Sequence, residues 1–234
     1  MTSLKLFLKG IKCFMNLIIM KRLSKYLMYL LMVYGMITCN NSDKKLPNTT
    51  SNQIQFSDQQ LYTIDNSGIS ILWTAHKFTN IVDVSGTFNT YIFESKKTSG
   101  TVENILNKSK LSIPTATVNS SNPIRDFKLD TYFFKAFNTS KIIGTITKAK
   151  ENEGIIDLKM NHTSKKIPFT YAIEKDTIRL FTNLDLTYWK GEEALKTLNT
   201  ECYELHKGTD GISKLWTDVD VVIKIPAHKT LIIN

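Results

Sequence analysis

Four histidines and three cysteines are the residues of this 234-residue chain best suited to metal or nucleophilic chemistry. Their spacing argues against most of it. His76, His162, His206 and His228 form no ligand pair at i, i+4, and only folding could bring His76 and His206 together. A neutral imidazole, hydrogen-bonded or facing solvent, is the ordinary state of such residues. The chain holds no G-x-S-x-G elbow, P-loop, H-E-x-x-H or C-x-x-C. Cys202 is the lone cysteine of the body, has neither a histidine nor an aspartate next to it in sequence, and reads as a small buried apolar residue. The adjacent Arg125 and Asp126 suit a structural hydrogen-bonding corner, with contact to a ligand headgroup as the alternative. No catalytic constellation is legible, so the expectation is a protein that is not an enzyme.

Charge adds little. The 30 basic and 21 acidic residues give a net +9, but residues 1–39 hold six of the basic residues and no acid. The remainder of the chain carries 24 basic residues against 21 acidic ones, with no basic stripe, which argues against nucleic acid as a partner. The chain is 42% apolar and 22% charged, a composition that folds. From Met20, Lys21, Arg22 and Lys25 precede an uncharged apolar stretch, Tyr26 to Ile37. That stretch is too short to span a bilayer core, which takes roughly 20 helical residues, and it fits the apolar region of a secretory signal. It ends in Met36-Ile37-Thr38-Cys39, which resembles the lipobox of bacterial lipoproteins, with Thr38 a departure from the usual small residue. The resemblance implies acylation of Cys39, attachment to a membrane and a place in the cell envelope. Residues 1–19 then read as an extension ahead of the functional start, 20–38 as the signal, 39–55 as a flexible tether and 56–234 as the folded domain. With Cys39 acylated, no internal disulfide is available, and stability must come from the core.

The body must position whatever chemistry there is, and its pattern is mostly period two. Apolar residues alternate through Ile69–Thr74, Val82–Phe88, Lys110–Val118, Ile142–Lys148, Ile155–Met160, Ile167–Ile173, Thr177–Leu186 and Val219–Ile225. Turn-forming clusters such as Asn66-Ser67-Gly68 and Thr209-Asp210-Gly211 separate them. This predicts an all-β fold, an antiparallel barrel or sandwich of about eight or nine strands. Glu192–Leu205, with Leu195, Leu198, Cys202 and Leu205 on one face, predicts a helix, and Arg125–Phe137 a weaker second one.

The order of several pieces resembles the YceI-like family. They are Trp73-Thr-Ala-His-Lys-Phe78, Val84-Ser-Gly-Thr-Phe88, Ser112-Ile-Pro-Thr115, Asn122-Pro-Ile-Arg-Asp126 and Tyr132-Phe-Phe134. Trp189 to His206 and Asp210 to Val219 are similar to the lipoprotein branch of that family found in Bacteroidetes. The family often shows Arg-Asp-Glu-His-Leu where this chain has Arg125-Asp126-Phe127-Lys128-Leu129, so no role of that histidine carries over. The resemblance implies a lipocalin-like antiparallel barrel that holds isoprenoid chains, quinone-type molecules included, and no other cofactor. An eight-stranded barrel is wide enough for side chains or one small ligand. Candidate lumen residues are Trp73, Phe88, Phe133, Phe134, Leu158, Met160, Phe169, Leu180 and Trp189. The alternative is an envelope structural or interaction module whose interior these side chains simply fill.

Overall fold

The computed structural model describes residues 60–230; Cys39, the signal, the tether and the extension before Met20 lie outside the described residues. The strands are β1 (Tyr62–Ile64), β2 (Ser70–Lys77), β3 (Val82–Phe88), β4 (Ile92–Glu94), β5 (Ser99–Gly100) and β6 (Lys110–Pro114). They continue with β7 (Val118–Asn119), β8 (Lys141–Lys150), β9 (Glu153–Met160), β10 (Thr163–Glu174), β11 (Thr177–Asp185) and β12 (Leu215–Lys229). All the pairings are antiparallel. The fold is therefore all-β in the sense the alternation predicts.

Register closes the sheet on itself. Hydrogen-bonded neighbours run β6-β8-β9-β10-β11-β12-β2-β3. The two ends then meet, because β3 and β4 form one bent stave and β6 and β7 form another. Thr87 and Phe88 pair with Asn119 and Val118, while Ile92, Phe93 and Glu94 pair with Ser112, Leu111 and Lys110. Between these segments Asn89 N donates to Thr117 O at 2.8 Å, and Thr117 Oγ1 to Thr90 O at 3.2 Å. The result is a lipocalin-like barrel of eight staves, in which β10 and β11 part beyond the Thr170–Phe181 pair.

One end is plugged. Helix α1 (Val102–Leu106) starts at Thr101, whose Oγ1 accepts from Asn104 N, and its Ile105 and Leu106 are wholly buried. They pack with Tyr62, Ile64, Phe169 and Tyr171. Asn107 pins the plug to β8, accepting from Ala149 N at 2.8 Å and donating to Ala149 O at 3.0 Å. Tyr171 Oη donates to Glu103 Oε1 at 2.7 Å, and burial together with that bond pushes the phenol up to about 12.

The other end carries two helices. Helix α2 (Pro123–Lys128) has Asn122 as its cap and a proline in its first turn, and it passes without a break into a π-helical segment, Leu129–Phe134. Helix α3 (Glu192–Glu201) ends four residues before the predicted limit, because φ is −119° at its cap, Cys202, and the chain turns into a 3-10 segment, Tyr203–Leu205. Among the described residues every ladder and both core clusters lie within Tyr62–Lys229, inside the one compact unit Phe56–Asn234, so this segment carries the contacts it needs to fold alone.

Candidate ligand-binding site

The barrel interior is hollow. A cavity of about 570 Å3 runs from the plug towards α2 and α3, within the range typical of small-molecule sites. Its wall is set by strand phase. In β9, Gly154, Ile156, Leu158 and Met160 point inward; in β12, Val219, Val221, Ile223 and Ile225 do. The Leu158 side chain stands opposite Gly144 of β8, where the missing side chain widens the lumen. Several inward apolar residues, among them Ala75, Val84, Phe88, Ile142 and Val221, stay partly accessible, as expected where a wall faces space and not another side chain.

An aromatic cluster covers one side. The π-helical register, with Thr139 N donating to Phe134 O at 3.0 Å, presents Phe133, Phe134 and Phe137 to the lumen. Phe133 meets Phe134 edge-on at 5.0 Å, and Phe88 from β3 meets Phe134 at 6.3 Å. Trp73 lies across Gly86 of the neighbouring strand and donates from Nε1 to Thr87 O at 3.1 Å.

Of the nine lumen candidates, Trp73, Phe88, Phe133, Phe134, Leu158, Met160 and Leu180 line this cavity, and two do not. Phe169 points inward but sits too deep: it lies across Gly154, packs on Tyr171 at 6.0 Å and belongs to the plugged end. Trp189 is completely buried yet off the lumen. The β10–β11 ladder stops at Thr170, beyond which Pro168 has no N–H to donate. Trp189 packs near this strand, with Nε1 on Leu158 O at 3.2 Å and its own carbonyl accepting from Asn161 Nδ2 at 2.8 Å. Cavity-lining residues absent from the sequence-based set include Ile71, Phe137, Leu184 and Val221. The alternation of β12 and the helical spacing of Phe137 from Phe133 and Phe134 already carried that signal.

Charged groups gather at the mouth. His76, Lys77, Arg125, Lys128 and His206 are the basic side chains among the lining residues, and no lining residue is a carboxylate. The adjacent Arg125 and Asp126 separate in role. Asp126 is the structural corner, accepting from Ser120 N at 2.7 Å and Ser120 Oγ at 2.6 Å, while Arg125 lines the mouth. His76 and His206 share the mouth but not a ligand set. His76 faces Asp83 at 2.9 Å and Asp220 at 3.5 Å, and His206 Nδ1 bonds Asn199 Oδ1 at 3.0 Å. Cys202 is a free, buried thiol in the wall.

Burial, with the charges of Lys77 and Lys128 adding to it, pushes His206 down to about 4. The unfolded chain takes up that proton near the ordinary value of about 6.5, and the folded chain holds out to lower pH. Stability contributed by the neutral imidazole is thus present above about 6.5 and lost as pH falls towards about 4. His206→Gln should narrow the gap between urea midpoints measured at neutral pH and at a pH inside that window. An unchanged gap would contradict the assignment.

A family model for the YceI-like domain matches residues 62–227. Among functionally curated proteins, none matches the chain. Similar solved structures include a polyisoprenoid-binding domain from Saccharophagus degradans implicated in plant cell wall breakdown. It is 13% identical, with a TM-score of 0.51 over 72% of this chain and 98% of that one. BcnA of Burkholderia cenocepacia is 10% identical, with a TM-score of 0.45 over 69% and 98% of the two chains. The YCEI protein of Campylobacter jejuni is 20% identical, with a TM-score of 0.45 over 67% and 90%. At 13% identity the likeness to the Saccharophagus domain is one of fold.

Proposed function

The chain belongs to the YceI-like family, and on that premise we propose that its barrel is a carrier that holds one apolar isoprenoid or lipid-like molecule, quinone-type molecules included. The observation that carries the reading is the hollow apolar lumen of about 570 Å3, open at a mouth where all the charged lining groups collect. Each methylene buried there contributes roughly 0.8 kcal/mol, so a long chain binds with few polar contacts. The polyisoprenoid-binding description of the Saccharophagus domain agrees with this reading. A structural module with a filled core would leave no such space: the plugged end is packed in that way, whereas the lumen keeps about 570 Å3 within its wall. We read the protein as a binder and not an enzyme, because its charged groups stand at the rim and the wall around the cargo, Ser109 and Thr182 aside, is apolar.

Titration of delipidated protein with prenols of increasing length tests the proposal. Affinity should rise at least about tenfold per isoprene unit while the chain still fits the lumen. Affinity that does not depend on length would contradict it.

We further propose that the protein is an envelope lipoprotein, anchored to a membrane through acylated Cys39. Support comes from the charged, apolar and cysteine-ended leader. Cells fed a fatty-acid probe should label the wild type and leave Cys39→Ala unlabelled; equal labelling rules the anchor out.

A further inference from the structure

We propose that the mouth end of the barrel docks on the surface of a bilayer containing anionic lipid, so that cargo passes between membrane and lumen without crossing water. This rests on the carrier reading above. Single exposed apolar side chains are common and mean little. Here they coincide with the mouth. Ile124 of α2 and Leu205 both line the cavity and are 72% and 59% exposed. Phe127, 62% exposed, stands one turn along α2 from Ile124, on the same helical face. The apolar surface therefore runs from the lumen outward onto the rim, between the charged groups that stand there.

Charge names the occupant. Lys77, Arg125 and Lys128 line the same mouth, and none forms an ion pair among the described residues. Nearby carboxylates are engaged elsewhere: Asp83 and Asp220 with His76 at 2.9 and 3.5 Å, Asp126 with Ser120, Asp130 with Lys135 at 2.9 Å, and Glu204 with Lys207 at 3.7 Å. Lys77 Nζ reaches Leu205 O at 3.2 Å and lies over the Phe78 ring at 4.4 Å, which holds its charge at the rim. Exposed apolar side chains framed by cations that no carboxylate pairs among the described residues suit an interface of acyl chains and anionic headgroups. An apolar cargo adds its own argument, since leaving by any other face would expose every methylene to water.

Flotation of the Phe56–Asn234 domain with vesicles tests the proposal, using phosphatidylcholine alone and phosphatidylcholine with about one third phosphatidylglycerol. The domain should float with the anionic vesicles, about tenfold more weakly with the neutral ones, and progressively less as salt rises. Phe127→Ser should lower binding to anionic vesicles about fivefold or more. Its cargo content should match wild type, because Phe127 does not line the cavity. Ile124→Ser with Phe127→Ser should lower binding further. No flotation, equal flotation on both vesicle types, or a Phe127→Ser domain that floats like wild type would overturn the proposal. So would capture of an envelope protein by a domain that ignores vesicles. Cargo is measured separately, so a loaded domain that does not float defeats the docking surface and leaves the carrier reading standing.

Discussion

Gly86→Ala should destabilise the domain by about 3 kcal/mol and shrink the lumen. A Cβ at this position would stand 2.3 Å from Trp73 Cζ2 and 2.5 Å from the Asn119 carbonyl oxygen. Gly86 is the direct cross-strand partner of Trp73, so the indole lies over the space a side chain would take. Asn119 belongs to the seam where β7 meets β3 and closes the barrel. A methyl group must therefore push the indole into the cavity or pull the seam apart. Overpacking usually costs about 1–3 kcal/mol, and two simultaneous clashes, one with rigid backbone, place this change at the upper end. In a domain of this size that lowers Tm by roughly 6–12 °C. Calorimetry checks the loss. Trp73→Leu added to Gly86→Ala should recover part of it, since the ring clash goes while the seam clash stays. An alanine variant with wild-type Tm would contradict the packing described.

Leu158→Trp separates a carrier from a filled core. Leu158 points into the lumen opposite Gly144, so an indole there meets space before it meets side chains. Bound cargo should fall at least about tenfold, because the ring takes volume that the ligand otherwise fills. Stability of the empty protein should change by less than about 1 kcal/mol, since a void is filled. In a packed core the same substitution would cost about 1–3 kcal/mol and leave nothing to displace. Urea unfolding and lipid analysis of the two proteins decide the matter.

The long staves are legible because each alternates apolar residues along one face. Val82–Phe88 matches the strand residue for residue, and the V-x-G-x-F pattern within it has a physical cause, the indole of Trp73 lying across Gly86. Alternation misled where the backbone departs from regularity. The run Val219–Ile225 is the middle of a strand reaching from Leu215 to Lys229, because a register shift between Leu215 and Val219 hides its start. Short pieces such as β5 and α1 span two and five residues, too few to show a period. Inward phase was legible at the site, but depth along the barrel was not, so Phe169 was grouped with residues that face the cavity. The mouth escaped for another reason. Lys77, Lys128 and His206 come from three separate segments, and only closure of the barrel brings them together.

The account rests on the lumen being completed by a molecule other than the protein. Protein purified gently from its own cells, extracted with organic solvent and weighed by mass spectrometry, tests this most directly, because a long hydrocarbon buried in a barrel leaves slowly. The prediction is one prenyl or acyl species at about one molecule per chain, lost from Leu158→Trp purified in parallel. An extract empty of any apolar molecule, from a wild-type protein that Leu158→Trp destabilises, would contradict the carrier and leave a structural module in its place.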